Sequence, residues 1–184
     1  MPFSIQLLPF SKTGTASEVT VEISKNSDLL TLLYTIKKFQ IEKPVTLSDF
    51  QISNNLRTDE LWKHTCFEIF IGTEDSDEYW EFNFSTSGKW NCYHFDNYRK
   101  EMTQEPDTAL LMFSAIQDNQ DALFNIKVKL PKNLANKNKL LSSPAVIVES
   151  IQNGMRNFEY YASSHKNNKP DFHRKDARTV IIRQ

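Results

Sequence analysis

Three features of the sequence predict an all-β, antiparallel fold. Residues 61–99 hold all three tryptophans and no proline, and aromatic and β-branched residues recur there with a period of two. Turn signals follow one another at short intervals along the rest of the chain, with no alternation of strands and helices. Thirteen phenylalanines stand against four glycines, a balance that suits a core filled by rings from sheets better than one built around glycine-rich phosphate loops. About ten short strands in this rhythm indicate a sandwich or a barrel.

Taken in order, residues 3–9 (FSIQLLP) read as an opening strand. Residues 18–24 alternate cleanly, and the polar cluster 25–28 turns the chain into residues 29–39. That second run fits a helix by periodicity alone, but its β-branched content and the preceding turn favour a strand. Residues 44–56 form a looser connection. Three central strands follow at 65–72, 78–85 and 89–96, joined by an acidic turn at 73–77 and a tight hairpin at 86–88 whose Gly88 supplies a positive φ. Residues 102–108 contain Pro106 and read as loop. Strands are expected at 110–118, 123–130 and 145–151, with one short helical turn near 134–141. Short strands at 158–163 and 179–182 flank a polar loop at 165–176.

With 184 residues, the chain is expected to form a single domain over residues 1–184, large enough to bury a core without metal or disulfide staples. The formal net charge is −1 and no basic run exceeds two residues, which argues against nucleic acid or anionic lipid as a partner. Cys66 and Cys92 are too few for a disulfide framework and are expected as buried thiols. The first residues lack a basic region and a long apolar run, and no apolar segment approaches the roughly 20 residues a membrane span needs. A cytoplasmic location is the expectation.

The phases of the central strands point to a binding surface. Phe67, Ile69 and Ile71 share one face of the first strand, leaving Cys66, Glu68 and Phe70 on the other. A carboxylate among apolar neighbours is costly unless paired, so Glu68 is expected beside Arg99, with Arg156 as a competing partner. Trp80, Phe82 and Phe84 define a core face, opposite Tyr79, Glu81 and Asn83. Trp62 and Trp90 lie near strand ends, where rings stack on sugars or planar ligands, or else cap a core. Tyr93, Tyr98, Tyr160 and Tyr161 carry hydroxyl groups that suit a wet surface.

Enzyme signatures are sparse. There is no HExxH, CxxC, GxSxG, Walker loop or GxGxxG in the sequence. His165, His173 and Asp171 share one loop and offer a conceivable three-ligand site. Residues 74–77 read as a solvated acidic turn rather than a calcium loop. Cys92 and His94 lie on one strand face without an orienting third group. Carboxylates such as Glu68, Glu78 and Glu81 suit a glycosidase only if their separation allows it, so a glycoside-processing enzyme stands as an alternative to a non-catalytic protein.

Several segments together carry a family resemblance: 61–68 (LWKHTCFE), 79–85 (YWEFNFS) with 87–90 (SGKW), 93–99 (YHFDNYR), 156–162 (RNFEYYA) and 170–173 (PDFH). On these, and on the opening IQLLPF, the chain resembles DOMON-like and family 9 carbohydrate-binding-module-like β-sandwiches over nearly its whole length. The resemblance implies an antiparallel sandwich of jelly-roll or immunoglobulin-like type that binds sugars by stacked rings with polar partners. It also implies, in some relatives, haem held by Met and His; Met102, Met112 and Met155 are present but lie in no matching motif. The expected function is therefore a non-catalytic module for a small-molecule or oligosaccharide ligand. Its expected ligand-binding residues are Trp62, Glu68, Asn83, Trp90, Tyr93, Tyr98, Arg99, Tyr160 and His173, with no metal ligand and no cofactor. A haem or other cofactor carrier, and a domain whose aromatic face docks a protein partner, are the alternatives.

Overall fold

A computed structural model describes residues 3–11, 18–41, 44–47 and 56–183. Among these the chain forms thirteen strands: β1 (Phe3–Pro9), β2 (Val19–Asn26), β3 (Leu29–Ile36), β4 (Val45–Leu47), β5 (Cys66–Gly72), β6 (Tyr79–Ser85), β7 (Trp90–Phe95), β8 (Thr103–Gln104), β9 (Ala109–Asp118), β10 (Asp121–Lys129), β11 (Lys139–Gln152), β12 (Met155–Ala162) and β13 (Val180–Arg183). One helix, α1 (Lys132–Ala135), and single 3-10 turns at Leu61–Lys63 and Lys175–Ala177 complete the secondary structure. No helix is long and apolar enough to cross a membrane among the described residues.

The all-β, antiparallel expectation holds, but the strands do not divide into a jelly-roll or immunoglobulin-like sandwich of about ten. They make one continuous curled sheet in the order β4-β9-β10-β3-β2-β1-β12-β11-β5-β6-β7-β8, with β13 beside β11. The joint is β1. Phe3 to Leu7 pair with β2, whereas Leu8 and Pro9 pair with β12. A single strand thus hands the ladder from one half of the sheet to the other, and no free edge is left between them.

The two halves face each other across one apolar core. Strand β3 alternates between buried and half-buried residues along its length, as the period-two pattern requires. Its Tyr34 ring lies 5.2 Å from Phe67 of β5, and Phe124 of β10 lies 4.2 Å from the same ring. The Tyr34 hydroxyl donates to the Glu68 carbonyl across the core at 2.8 Å. Both cysteines are free and buried.

Several boundaries move. The expected helix over 134–141 is only the four residues of α1, opened by Pro131, whose missing N–H costs nothing at a helix start. Residues 139–141 instead open β11, because Leu140 is fully buried and pairs with Ile182. β11 runs 14 residues and changes partner along one side, from β13 to β12, at Pro144. β4 and β8 fall inside segments read as connections; each is too short for a periodic pattern to show. The remainder of the 44–56 connection, residues 48–55, lies outside the described residues.

Candidate ligand-binding pocket

The central strands β5, β6 and β7 are buried on both faces, which a solvent-facing sheet would not be. One face, with Phe67, Ile69, Trp80, Phe82, Trp90 and Cys92, belongs to the main core. The other holds Cys66, Phe70, Tyr79, Tyr93 and Phe95, which pack with Leu61, Ala145, Ile147, Ala162 and Phe172 into a second cluster. The loop after β12 folds back over this face and brings Pro170, Phe172 and His173 against it. Trp62 enters from the 3-10 turn that precedes β5.

Between the sheet and these coverings lies a pocket of about 420 Å³, lined by Trp62, Glu68, Phe70, Glu81, Phe95, Arg99, Met102, Ile147, Tyr160, Pro170, Phe172 and His173. That volume and its mix of rings and a few converging polar groups are those of a small-molecule site. Strand register sets its floor. Glu68 pairs with Asn83 and Phe70 with Glu81, so the two carboxyl groups are diagonal neighbours on one sheet face. They are 2% and 4% exposed.

Electrostatics on this floor are governed by burial. Removal from water pushes the Glu68 carboxyl well above the usual range, and the neighbouring Glu81 pushes it further, against a pull from Arg99. Glu81 is raised to about 7 by burial, moderated by a 2.7 Å hydrogen bond from Asn83 Nδ2 and by the Arg99 charge. Burial, with Arg99 nearby, lowers His173 to about 3, so its imidazole is neutral. The Arg99 backbone N–H donates to the Tyr79 hydroxyl at 3.1 Å, and that hydroxyl lies 2.8 Å from His173 Nδ1. With Nδ1 engaged by the phenol, the other ring nitrogen, Nε2, faces Glu81 Oε2 at 3.7 Å.

Arg99 is held by the loop rather than by Glu68. Its Nη2 reaches Asp171 Oδ1 at 3.3 Å, and Asp171 also accepts from the Tyr98 hydroxyl at 2.7 Å and from Asn167 at 3.2 Å. Burial works to raise the Asp171 carboxyl, but the Tyr98 hydroxyl, the Arg99 charge and hydrogen bond and the His173 backbone outweigh it and hold it below the usual carboxylate range. Arg99 and Glu101 both adopt positive φ, 54° and 52°, a conformation non-glycine residues take up only when neighbours enforce it. The expected Glu68–Arg99 ion pair is thus replaced by Arg99–Asp171. The competing candidate, Arg156, bonds Glu149 instead.

Of the residues singled out from the sequence, Trp62, Glu68, Arg99, Tyr160 and His173 line the pocket together. Asn83 and Tyr93 stand behind it. Asn83 is fully buried and orients Glu81. Tyr93 is 5.8 Å from Trp62 in an edge-on contact and gives its hydroxyl hydrogen to Asp59 at 2.7 Å. Tyr98 lies outside the lining and acts on it through Asp171. Trp90 does not reach the pocket. It is 1% exposed in the main core, because the chain around Arg57 crosses the hairpin end, with the guanidinium 4.4 Å above the indole and Thr58 N–H bonded to the Trp90 carbonyl. Tyr161, expected on a wet surface, is also a core residue, its hydroxyl tied to Glu159.

The sequence reading left Glu81, Phe95, Met102 and Phe172 out of the site. Glu81 had a signal, as a carboxylate on the face that also carries Asn83, and Met102 was noted only among the methionines of the haem alternative. No group of three or more His, Cys, Asp or Glu placed to hold a metal ion occurs among the described residues. His165, one of the three conceivable ligands, bonds the Leu8 carbonyl instead.

No protein-family model matches the sequence, and neither does any curated protein. The fold has solved counterparts. A protein from Bacteroides uniformis, described as a candidate carbohydrate-binding protein, is similar over 95% of this chain and 83% of its own, at 12% identity and a TM-score of 0.61. A family 9 carbohydrate-binding module from Caldicellulosiruptor kristjanssonii aligns in complexes with cellotriose and with glucose, each at 12% identity and a TM-score of 0.48. It covers 94% of this chain and 77% and 78% of its own. At 12% identity, the likeness to the Bacteroides protein establishes a shared architecture.

Proposed function

We propose that this chain is a non-catalytic carbohydrate-binding module of the DOMON-like, family 9-like type, which takes a sugar into the pocket over β5, β6 and β7. The observation that carries this reading is the pairing of ring walls with a buried polar floor. Trp62, Tyr160 and Phe172 line the cavity above Glu68, Glu81 and Arg99. A sugar ring has apolar C–H faces and a polar equator, so rings to stack on and acceptors and donors to orient its hydroxyls are what it requires. The description of the Bacteroides protein as a candidate carbohydrate binder, on the same architecture, supports it.

A haem does not fit well. Met102 and His173 both line the pocket, but the imidazole has Nδ1 bonded to Tyr79 and Nε2 turned to Glu81, and two buried carboxyl groups repel propionates. The ligand reading is tested by thermal shift and calorimetry with mono- and oligosaccharides. Binding that raises the melting temperature and is lost in Trp62→Ala is the expected result, and no shift with any sugar at concentrations well above millimolar ends it.

A further inference from the structure

The acidic floor of the pocket is not balanced by the cations around it. Glu68 and Glu81 line the cavity, and Asp171 stands at its edge. Against these three carboxyl groups the chain sets two guanidiniums. Arg99 is hydrogen-bonded to Asp171, and Arg178 lies over the Tyr79 ring at 4.4 Å and donates to the His173 carbonyl. The other titratable groups around the pair bring no charge, since the His173 imidazole, the Tyr34, Tyr79 and Tyr93 hydroxyls and the Cys66 and Cys92 thiols are all neutral. An unmatched pair of buried carboxyl groups keeps a proton when the pocket is empty. A ligand cation is what would replace it.

We propose that the pocket selects a sugar carrying a free amine, whose ammonium group sits at Glu68 and Glu81 in the cavity walled by Phe70, Phe95 and Phe172. This rests on the sugar-binding reading and specifies the sugar. Aromatic walls around acidic groups are the setting in which a desolvated ammonium binds well. A neutral sugar leaves the pair holding its proton, an acylated amine has no charge to offer, and an acidic sugar adds a fourth negative group. Binding of the ammonium expels the shared proton into solution, so affinity falls as acid returns that proton to the pair.

The test is calorimetry on the full chain with D-glucosamine, D-glucose, N-acetyl-D-glucosamine and D-glucuronate, in two buffers of different ionisation enthalpy. D-glucosamine is expected to bind about tenfold tighter than D-glucose, the size of a desolvated cation contact. It should release a proton on binding at about pH 6, where the free amine is still charged, and gain affinity from about pH 5.5 to about pH 7 as the Glu81 transition at about 7 is approached. Glu81→Gln and Glu68→Gln should each abolish the preference, read on each variant as the ratio of the D-glucosamine and D-glucose affinities. Equal or tighter binding of D-glucose or N-acetyl-D-glucosamine overturns the amine selectivity and leaves the sugar-binding reading standing. A preference that survives both glutamine variants overturns the assignment to this pair. If none of the four sugars binds, the amine selectivity falls, and the sugar-binding reading is decided by the mono- and oligosaccharide series above.

Discussion

Single side chains decide the chemistry of this pocket, and two of them decide how it responds to pH. Glu81 titrates at about 7 in the folded chain, above the ordinary carboxyl range of an unfolded one. Folding therefore favours its protonated form, and that contribution is complete below about pH 4.5 and is lost as the pH rises through about 7. His173 has the opposite sign. Its folded value of about 3 lies below the usual 6.5, so its contribution is present above about 6.5 and is lost as the pH falls toward 3. The two contributions oppose each other between about pH 4.5 and pH 6.5, so the fall in melting temperature due to Glu81 should show above about pH 6.5, and Glu81→Gln should reduce it while leaving the acid limb, as scanning calorimetry in a buffer series would show. Trp62 is a half-buried ring of the site. Replacing it with alanine should weaken sugar binding by about ten- to hundredfold, corresponding to about 1.5–3 kcal/mol of buried aromatic surface, in a titration that leaves the melting temperature almost unchanged.

Elements position these side chains by register and by turns. The pocket floor exists because β5 and β6 pair Glu68 with Asn83; a slip of one residue by either strand would turn its carboxyl group into the main core. The hairpin between β6 and β7 secures that pairing. Gly88 sits there at φ 82°, and a Cβ would meet Leu47 Cδ1 at 2.4 Å and Phe113 Cδ1 at 3.0 Å. Gly88→Ala should therefore destabilise the chain by more than about 1 kcal/mol, from the left-handed backbone alone, with added loss where β4 and β9 are pushed away. Urea unfolding would register it as a lower midpoint at an unchanged slope. Trp62 depends on an element of another kind. Its turn begins at Glu60, a non-glycine residue at φ 61°, and the indole leans on Tyr93, which Asp59 anchors.

The whole molecule is held together at the contact between its halves. Phe67 sits between Tyr34 and Phe124, at 5.2 and 4.2 Å, and is fully buried. Phe67→Ala should cost about 3–5 kcal/mol, because neither half of a continuous sheet can close the cavity alone. Chemical denaturation followed by tryptophan fluorescence measures this, and loss of cooperativity would show the halves separating. The curled sheet also determines which strands carry the site. With β1 joining the halves, β5–β7 end up between the core and the loop after β12, and so become buried on both faces.

The sequence alone determined most of the strands. Period-two alternation located β1, β2, β3 and the three central strands, and the phases of β5 and β6 separated Phe67, Ile69, Phe82 and Phe84 from Glu68, Glu81 and Asn83. Trp62, Glu68, Arg99, Tyr160 and His173 were legible as site residues because rings and charges among apolar neighbours require an explanation. Only the tertiary structure decided which of these meet. Trp90 and Trp62 look alike in sequence, each beside a strand end, yet a crossing segment at Arg57 buries one while a left-handed turn presents the other. Phe172 and Asp171 lie in a stretch whose composition reads as polar loop. Local pattern reports which face a side chain takes, but the partner across that face comes from 70 or more residues away, and no local periodicity encodes it.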